Sequence, residues 1–164
     1  MKKLWFARHA KSSWDDPNCH DMQRPLLEKG MERSAKVVTY LNERGEKPER
    51  IISSPAVRAL ETARLLARGM GYPLTEIQIE SQIYFGSEEQ VWEVIFGIPD
   101  HIGSALLVGH NPTLTHMVNY FLNEKIALLP TSGLFIFSLE TEKWEEVPVA
   151  PCRLEHGIFP KQIL

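Results

Sequence analysis

Apolar residues in this chain fall into short unbroken runs and stepped stripes, and the two alternate. Leu4-Trp5-Phe6-Ala7 and Ser104-Ala105-Leu106-Leu107-Val108-Gly109 are runs with the length of strands buried on both faces, and Arg50-Ile51-Ile52-Ser53 is a shorter one. From about Leu26 to Arg44, Leu27, Met31, Ala35, Val38 and Leu41 recur every three or four residues, one face of an amphipathic helix stopped by Gly45 and Pro48. A second helix is predicted from Ala56 to about Arg68, with Ser54 as N-cap, Pro55 at its first position, Leu60, Ala63 and Ala67 inward, and Gly69 or Gly71 as its end. Glu76-Ile77-Gln78-Ile79-Glu80 alternates like an edge strand. Ser87-Glu88-Glu89-Gln90 is a capping-box pattern that opens a helix with Val91, Val94 and Ile95 on one side. After Gly109, Asn111 suits an N-cap and Pro112 the first residue of a helix to about Leu122. Gly133–Leu139 and Trp144–Val149 read as an antiparallel hairpin turning at Glu140-Thr141-Glu142-Lys143, with Pro148 confining the second strand to a sheet edge. Beyond Pro151 no pattern stands out.

Strands alternating with helices predict an α/β fold: a single domain over residues 1–164, a three-layer sandwich whose mostly parallel central sheet carries helices on both faces. Composition changes this little. Hydrophobic residues make up 43% and charged residues 24%, and a net charge of −3 gives no general pull toward nucleic acid or an anionic membrane. No segment approaches the ~20 apolar residues of a membrane span, so a cytoplasmic protein is expected. Cys19 and Cys152 fall in no CxxC pattern and are expected to be free thiols.

The chemistry lies at the ends of the runs. Arg8 and His9 follow the first strand, Arg58 falls in the first turn of the helix after the second, and His110 follows the strand at 104–109. Open α/β sheets bind ligands beyond the carboxyl ends of their strands, so these four residues are expected on one rim. Two guanidinium forks suit phosphate oxygens, and the helix starts after Ser54 and Asn111 add backbone N–H groups. Two imidazoles in such a dianion pocket supply a nucleophile and a hydrogen-bond donor. The turn-rich segment Lys11–Asn18 is expected to lie over the strand end beside them.

Arg8-His9-Ala10, then Ser53-Ser54-Pro55-Ala56-Val57-Arg58-Ala59-Leu60-Glu61-Thr62-Ala63, then Gly109-His110-Asn111, resemble in order the three signatures of the histidine phosphatase (phosphoglycerate mutase-like) superfamily, over roughly residues 3 to 139. The short chain, Arg24-Pro25-Leu26 followed by Gly30, and the loop after His9 are most similar to SixA-type phosphohistidine phosphatases. Ala10 stands where the family usually has glycine. The resemblance implies that His9 is the nucleophile of a covalent phosphohistidine intermediate, that Arg8 and Arg58 clamp the phosphoryl oxygens, and that His110 donates to them as charge builds. It implies no metal and no cofactor. Arg24 and Asn111 become candidate substrate contacts.

Many members that cleave alkyl phosphates carry a glutamate that protonates the leaving alkoxide, and Gln82 falls at the comparable place here, with Glu80, Glu88 and Glu89 as the remaining carboxylates nearby. Imidazole leaves with far less help than an alkoxide. A phosphohistidine on a protein is therefore the expected substrate, and the lack of a long insertion leaves an open rim for one. The partner is then a histidine-phosphorylated protein domain or, failing that, a small phosphomonoester, with neither nucleic acid nor membrane. The competing readings are a broad small-molecule phosphomonoesterase, a non-catalytic phospho-ligand binding module that could use Trp14 or Trp92 as partner surface, and a metal site drawn from His9, His20, His110 and His116.

Overall fold

The first apolar run forms strand β1 (Lys2–Arg8), which has a hydrogen-bonded neighbour on each side, so no polar residue interrupts it between Leu4 and Ala7. In the computed structural model, which describes residues 1–163, it pairs parallel with β4 (Ser104–Gly109) and antiparallel with β5 (Leu134–Leu139). Strands β2 (Arg50–Ser53), β3 (Gln78–Ile79) and β6 (Cys152–Ile158) complete a six-stranded sheet in the order β3-β2-β4-β1-β5-β6. The pairs β1–β4, β2–β4 and β2–β3 are parallel, and β1–β5 and β5–β6 antiparallel. The sheet is thus mostly parallel, as expected.

Alternation along β1 sends Leu4 and Phe6 to one face and Trp5 and Ala7 to the other, and each face has its own core. Helices α1 (Glu28–Glu43) and α2 (Val57–Met70) cover the Trp5 face through Val37, Leu41, Ala59, Ala63 and Leu66. A short α3 (Gln82–Phe85) leads into α4 (Glu88–Phe96), which with α5 (Thr113–Phe121) covers the Phe6 face through Val91, Ile95, Met117 and Val118. Helices on both faces of one sheet make the expected three layers. Among the described residues no helix is long and apolar enough to cross a membrane, and both cysteines are free.

Several local expectations are corrected. Helix α1 buries Gly30, Ser34, Val37 and Leu41 and leaves Met31 and Ala35 exposed, a stripe shifted from the one the apolar spacing predicts. Close approach explains the shift: a Cβ at Gly30 would stand 2.6 Å from the Lys11 carbonyl oxygen, so α1 lies directly on the chain leaving β1. The predicted strand at Trp144–Val149 is a 3₁₀ turn instead, because its buried residues, Trp144 and Val147, are three apart rather than alternating. The hairpin partner of β5 is β6, in the tail that shows no pattern. Strand β6 is a largely exposed edge strand, and a register shift opposite Ile136 and Phe137 breaks its alternation. The N-caps also move. Ala56 and Pro112 take the capping positions of α2 and α5, while Ser54 Oγ accepts from the Ala56 N–H (3.1 Å) and Asn111 Oδ1 from the Thr115 N–H (3.2 Å).

Candidate active site

The register of the central strands assembles the site. Arg8 lies opposite Gly109, and the His9 N–H donates to the Gly109 carbonyl (3.0 Å), so the residues just past β1 and β4 emerge side by side. The His9 and His110 rings are consequently 5.3 Å apart between centroids. On the other flank of β4, the Ser54 N–H donates to the Val108 carbonyl (3.1 Å), which carries the start of α2, and with it Arg58, to the same rim. Thr62 locks α2 to the loop after β1: its hydroxyl accepts from the Ala10 N–H (2.8 Å) and donates to the Arg58 carbonyl (2.6 Å). Ala10 is fully buried at this junction, so the extra methyl relative to glycine is accommodated.

Arg8, His9, Arg24, Arg58, His110 and Asn111 all line one cleft of about 730 Å³. The alternative acids do not. Glu80 accepts from Gln78 Nε2 (2.7 Å), Glu88 faces His116 Nδ1 (3.0 Å), Gln82 donates to Glu93 (2.9 Å), and none of these, nor Glu89, lines the cleft. His20 and His116 likewise lie away from it, and among the described residues no cluster of three His, Cys, Asp or Glu is arranged to hold a metal ion.

His9, Arg24 and Arg58 are each 6–7% exposed. His9 Nδ1 lies 2.7 Å from the Ala10 carbonyl, an atom that can only accept; Nδ1 therefore carries the hydrogen and Nε2 keeps its lone pair. Burial pushes His9 down to about 4 against the opposing hydrogen bond to Ala10, with Arg58, Arg8 and Arg24 lowering it further. Burial, then Arg58 and His9, push His110 down to about 3, so both rings are neutral at pH 7. His110 Nε2 is 2.7 Å from Ser54 Oγ, whose lone pair already accepts from the Ala56 N–H. A hydroxyl in that position best donates to Nε2, which leaves the hydrogen of His110 on Nδ1. That Nδ1, together with Arg8 Nε and Arg58 Nε, is buried without a partner among the described residues.

Asp21 is the residue that sequence reasoning missed. It is the one carboxylate among the described residues lining the cleft. Its oxygens accept from Arg24 (2.9 Å), Arg58 (2.9 Å) and the Tyr84 hydroxyl (2.7 Å), and its backbone carbonyl accepts a second Arg58 N–H (2.6 Å). Partial burial acts to raise its carboxyl, but the bonds from Tyr84, Arg24 and Arg58 outweigh that and hold it well below the usual carboxylate range. Tyr84 also packs edge-on against the His110 ring at 5.3 Å. A lone aspartate in a loop three residues before Arg24 was the available signal, and it is a weak one.

Arg24 and Asn111 reach the cleft with much of their bonding capacity engaged. The guanidinium of Arg24 donates to the Ser13 carbonyl (2.9 Å), Asp21 (2.9 Å) and Ser12 Oγ (2.5 Å) and stacks 3.2 Å over the Trp14 ring. The Asn111 amide bonds Thr115 at one end and the Leu129 carbonyl (2.8 Å) at the other, the same carbonyl that accepts from Arg8 (3.1 Å).

Comparison with known proteins gives the family and the fold. The family model of the histidine phosphatase superfamily (branch 1) matches residues 4–95. The chain is 29% identical over 154 residues to the uncharacterized chloroplastic protein At3g52155 of Arabidopsis thaliana, covering 88% of this chain and 70% of that protein. Its fold matches a protein of Agrobacterium tumefaciens provisionally assigned as the phosphohistidine phosphatase SixA, with TM-score 0.82, 25% identity and coverage of 97% and 98% of the two chains. It also matches the protein histidine phosphatase SixA complexed with tungstate, at TM-score 0.83, 19% identity and 99% coverage of both chains. With its family signatures converging on one basic cleft of a SixA-like α/β fold, the chain belongs to the histidine phosphatase superfamily.

Proposed function

We propose that the protein removes the phosphoryl group from phosphohistidine on another protein, through a covalent intermediate on His9 and without a metal or cofactor. The observation that carries the substrate class is the state of the cleft's one carboxylate among the described residues. Asp21 is held ionised and cannot protonate a leaving alkoxide near neutral pH, and Gln82 lies outside the cleft. A substrate imidazole needs no such acid.

In the first step the lone pair of His9 Nε2 bonds to phosphorus as the P–N bond to the substrate imidazole breaks. The departing electron pair stays on the substrate nitrogen, and a ring already protonated at its second nitrogen leaves as neutral imidazole. Nucleophile and leaving group are then the same chemical species, so the transfer is close to balanced. Water next attacks phosphorus, the P–N bond to His9 breaks, the electron pair returns to Nε2, and the proton of the water ends on phosphate. Arg8 and Arg58 hold the phosphoryl oxygens through their free N–H groups, and His110 donates from Nδ1 as charge spreads over those oxygens. Arg24 and Asn111 serve by fixing Asp21 and the Leu129 carbonyl beside the clamp.

The test compares phosphate release from a histidine-phosphorylated protein and from p-nitrophenyl phosphate, with a chelator present, for the wild type and His9→Ala. Faster release from the phosphoprotein, abolished by the substitution and indifferent to the chelator, is expected. Release from the ester alone would make the protein a broad phosphomonoesterase, and binding without release a phosphate-recognition module.

A further inference from the structure

The cleft is far larger than a phosphoryl group, and much of its wall lies outside the clamp. Six of the chain's eighteen Lys and Arg residues line it, Arg8, Lys11, Arg24, Arg33, Arg58 and Lys161, against one of its twenty-one Asp and Glu residues. The protein as a whole is net negative, so the positive charge here is local. Lys11, Arg33 and Lys161 take no part in the phosphoryl clamp, and among the described residues their side chains make no ion pair. Two large, exposed apolar side chains also line the cleft: Trp14, 76% exposed, and Leu128, 57% exposed. An exposed tryptophan and an exposed leucine in one cleft with unpaired cations have the composition of a protein interface rather than of a metabolite pocket.

We infer that this wall is the docking face for an acidic surface on the phosphorylated protein, with Trp14 as anchor and Lys11, Arg33 and Lys161 as the positive rim. The inference rests on the phosphohistidine reading above and names its partner by charge. The wall is also coupled to the chemistry. Trp14 stacks on Arg24, Arg24 bonds Asp21, and Asp21 bonds Arg58, so a partner seated on Trp14 bears on the residue chain that orients the clamp. A positive rim on a net-negative protein acts mostly on encounter and KM, and salt weakens it.

The test uses the whole protein carrying Arg33→Glu and Lys161→Glu, with Arg33→Gln and Lys161→Gln as a milder pair. With a histidine-phosphorylated protein of net negative charge, kcat/KM is expected to fall roughly tenfold or more through KM in the Glu pair and less in the Gln pair. Hydrolysis of p-nitrophenyl phosphate is expected to change less than about threefold, since the rim lies outside the clamp. Equal losses on both substrates, or no loss on the phosphoprotein, would overturn the docking face. A second arm does not depend on phosphohistidine: an unphosphorylated glutamate-rich peptide should inhibit ester hydrolysis by the wild type at low salt and inhibit the Glu pair several-fold less. No inhibition, equal inhibition of both, or stronger inhibition by single-stranded RNA of matched charge overturns it. If the wild type hydrolyses only the ester, the proposed function falls and the peptide arm still decides the docking face.

Discussion

Lowering the pH from 7.5 to 5.0 should cost the folded protein about 4 kcal/mol of stability, contributed by two imidazoles in about equal parts. His9 and His110 are held down to about 4 and about 3 from an ordinary value of 6.5. Both values are depressed, so between pH 6.5 and 4 the unfolded chain binds protons that the folded chain refuses. Stability therefore rises with pH through that window, is fully present above it, and is lost as the pH falls toward the folded values. Comparing proton binding in the two states gives about 2 kcal/mol per imidazole over this range, with a slope near 2.5 kcal/mol per pH unit around pH 5.5. Asp21, whose carboxyl is held below the window in the folded chain, adds little to the slope above pH 5, because an aspartate in the unfolded chain takes up its proton only near pH 4. The assay is urea unfolding followed by tryptophan fluorescence at four pH values, for the wild type, His9→Gln, His110→Gln and the double variant. Each single substitution should remove about half of the slope and the double variant most of it. A wild type and double variant with the same pH dependence would refute the neutral, buried pair, and with it the tautomer assigned to His9.

Ser54→Ala removes the group that sets the His110 tautomer, so kcat should fall about tenfold with KM little changed, as steady-state kinetics on p-nitrophenyl phosphate would read. Asp21→Asn replaces an acceptor of three donors with an amide that must turn its NH₂ toward one of them. Allowing for the solvent screening of a side chain that is 48% exposed, it should cost about 1–2 kcal/mol in thermal or urea unfolding and lower kcat more than it raises KM. Gly30→Ala puts a methyl 2.6 Å from the Lys11 carbonyl oxygen, which should cost about 1–3 kcal/mol and lower kcat by shifting the chain beside His9, read by paired stability and activity measurements.

The parts of the fold that the sequence shows clearly are those where burial is symmetrical. Strands β1 and β4 have neighbours on both edges and cores on both faces, so their apolar runs leave no second interpretation. Helix α1 is harder to read because its inward face is set by room rather than by hydrophobicity. Gly30 and Ser34 go inward where backbone approaches, and the larger Met31 is turned out. The tail fails for the opposite reason. Edge strand β6 has little apolar surface to bury, and its pairing to β5 comes from the free edge that β5 presents, which no local pattern in residues 152–158 encodes.

The same distinction runs through the site. His9, His110 and Arg58 are visible because each sits where an element starts or stops, and parallel register then carries strand ends to one rim. Asp21 sits at no such boundary of the sheet. Its importance arises from partners 3, 37 and 63 residues away, Arg24, Arg58 and Tyr84, brought together only by the finished fold. Yet it bears directly on the leaving group that the sequence suggests. A glutamine in place of an acid argues weakly for an easily displaced leaving group, since another carboxylate could substitute. The structure leaves one carboxylate in the cleft among the described residues and surrounds it with two arginines and a phenol, which deny it a proton near neutral pH. Under the proposed function, the restriction on the leaving group would come from the whole Arg24–Asp21–Arg58–Tyr84 network, and variants that alter that network, rather than Gln82 alone, are the ones expected to gain activity on alkyl phosphates.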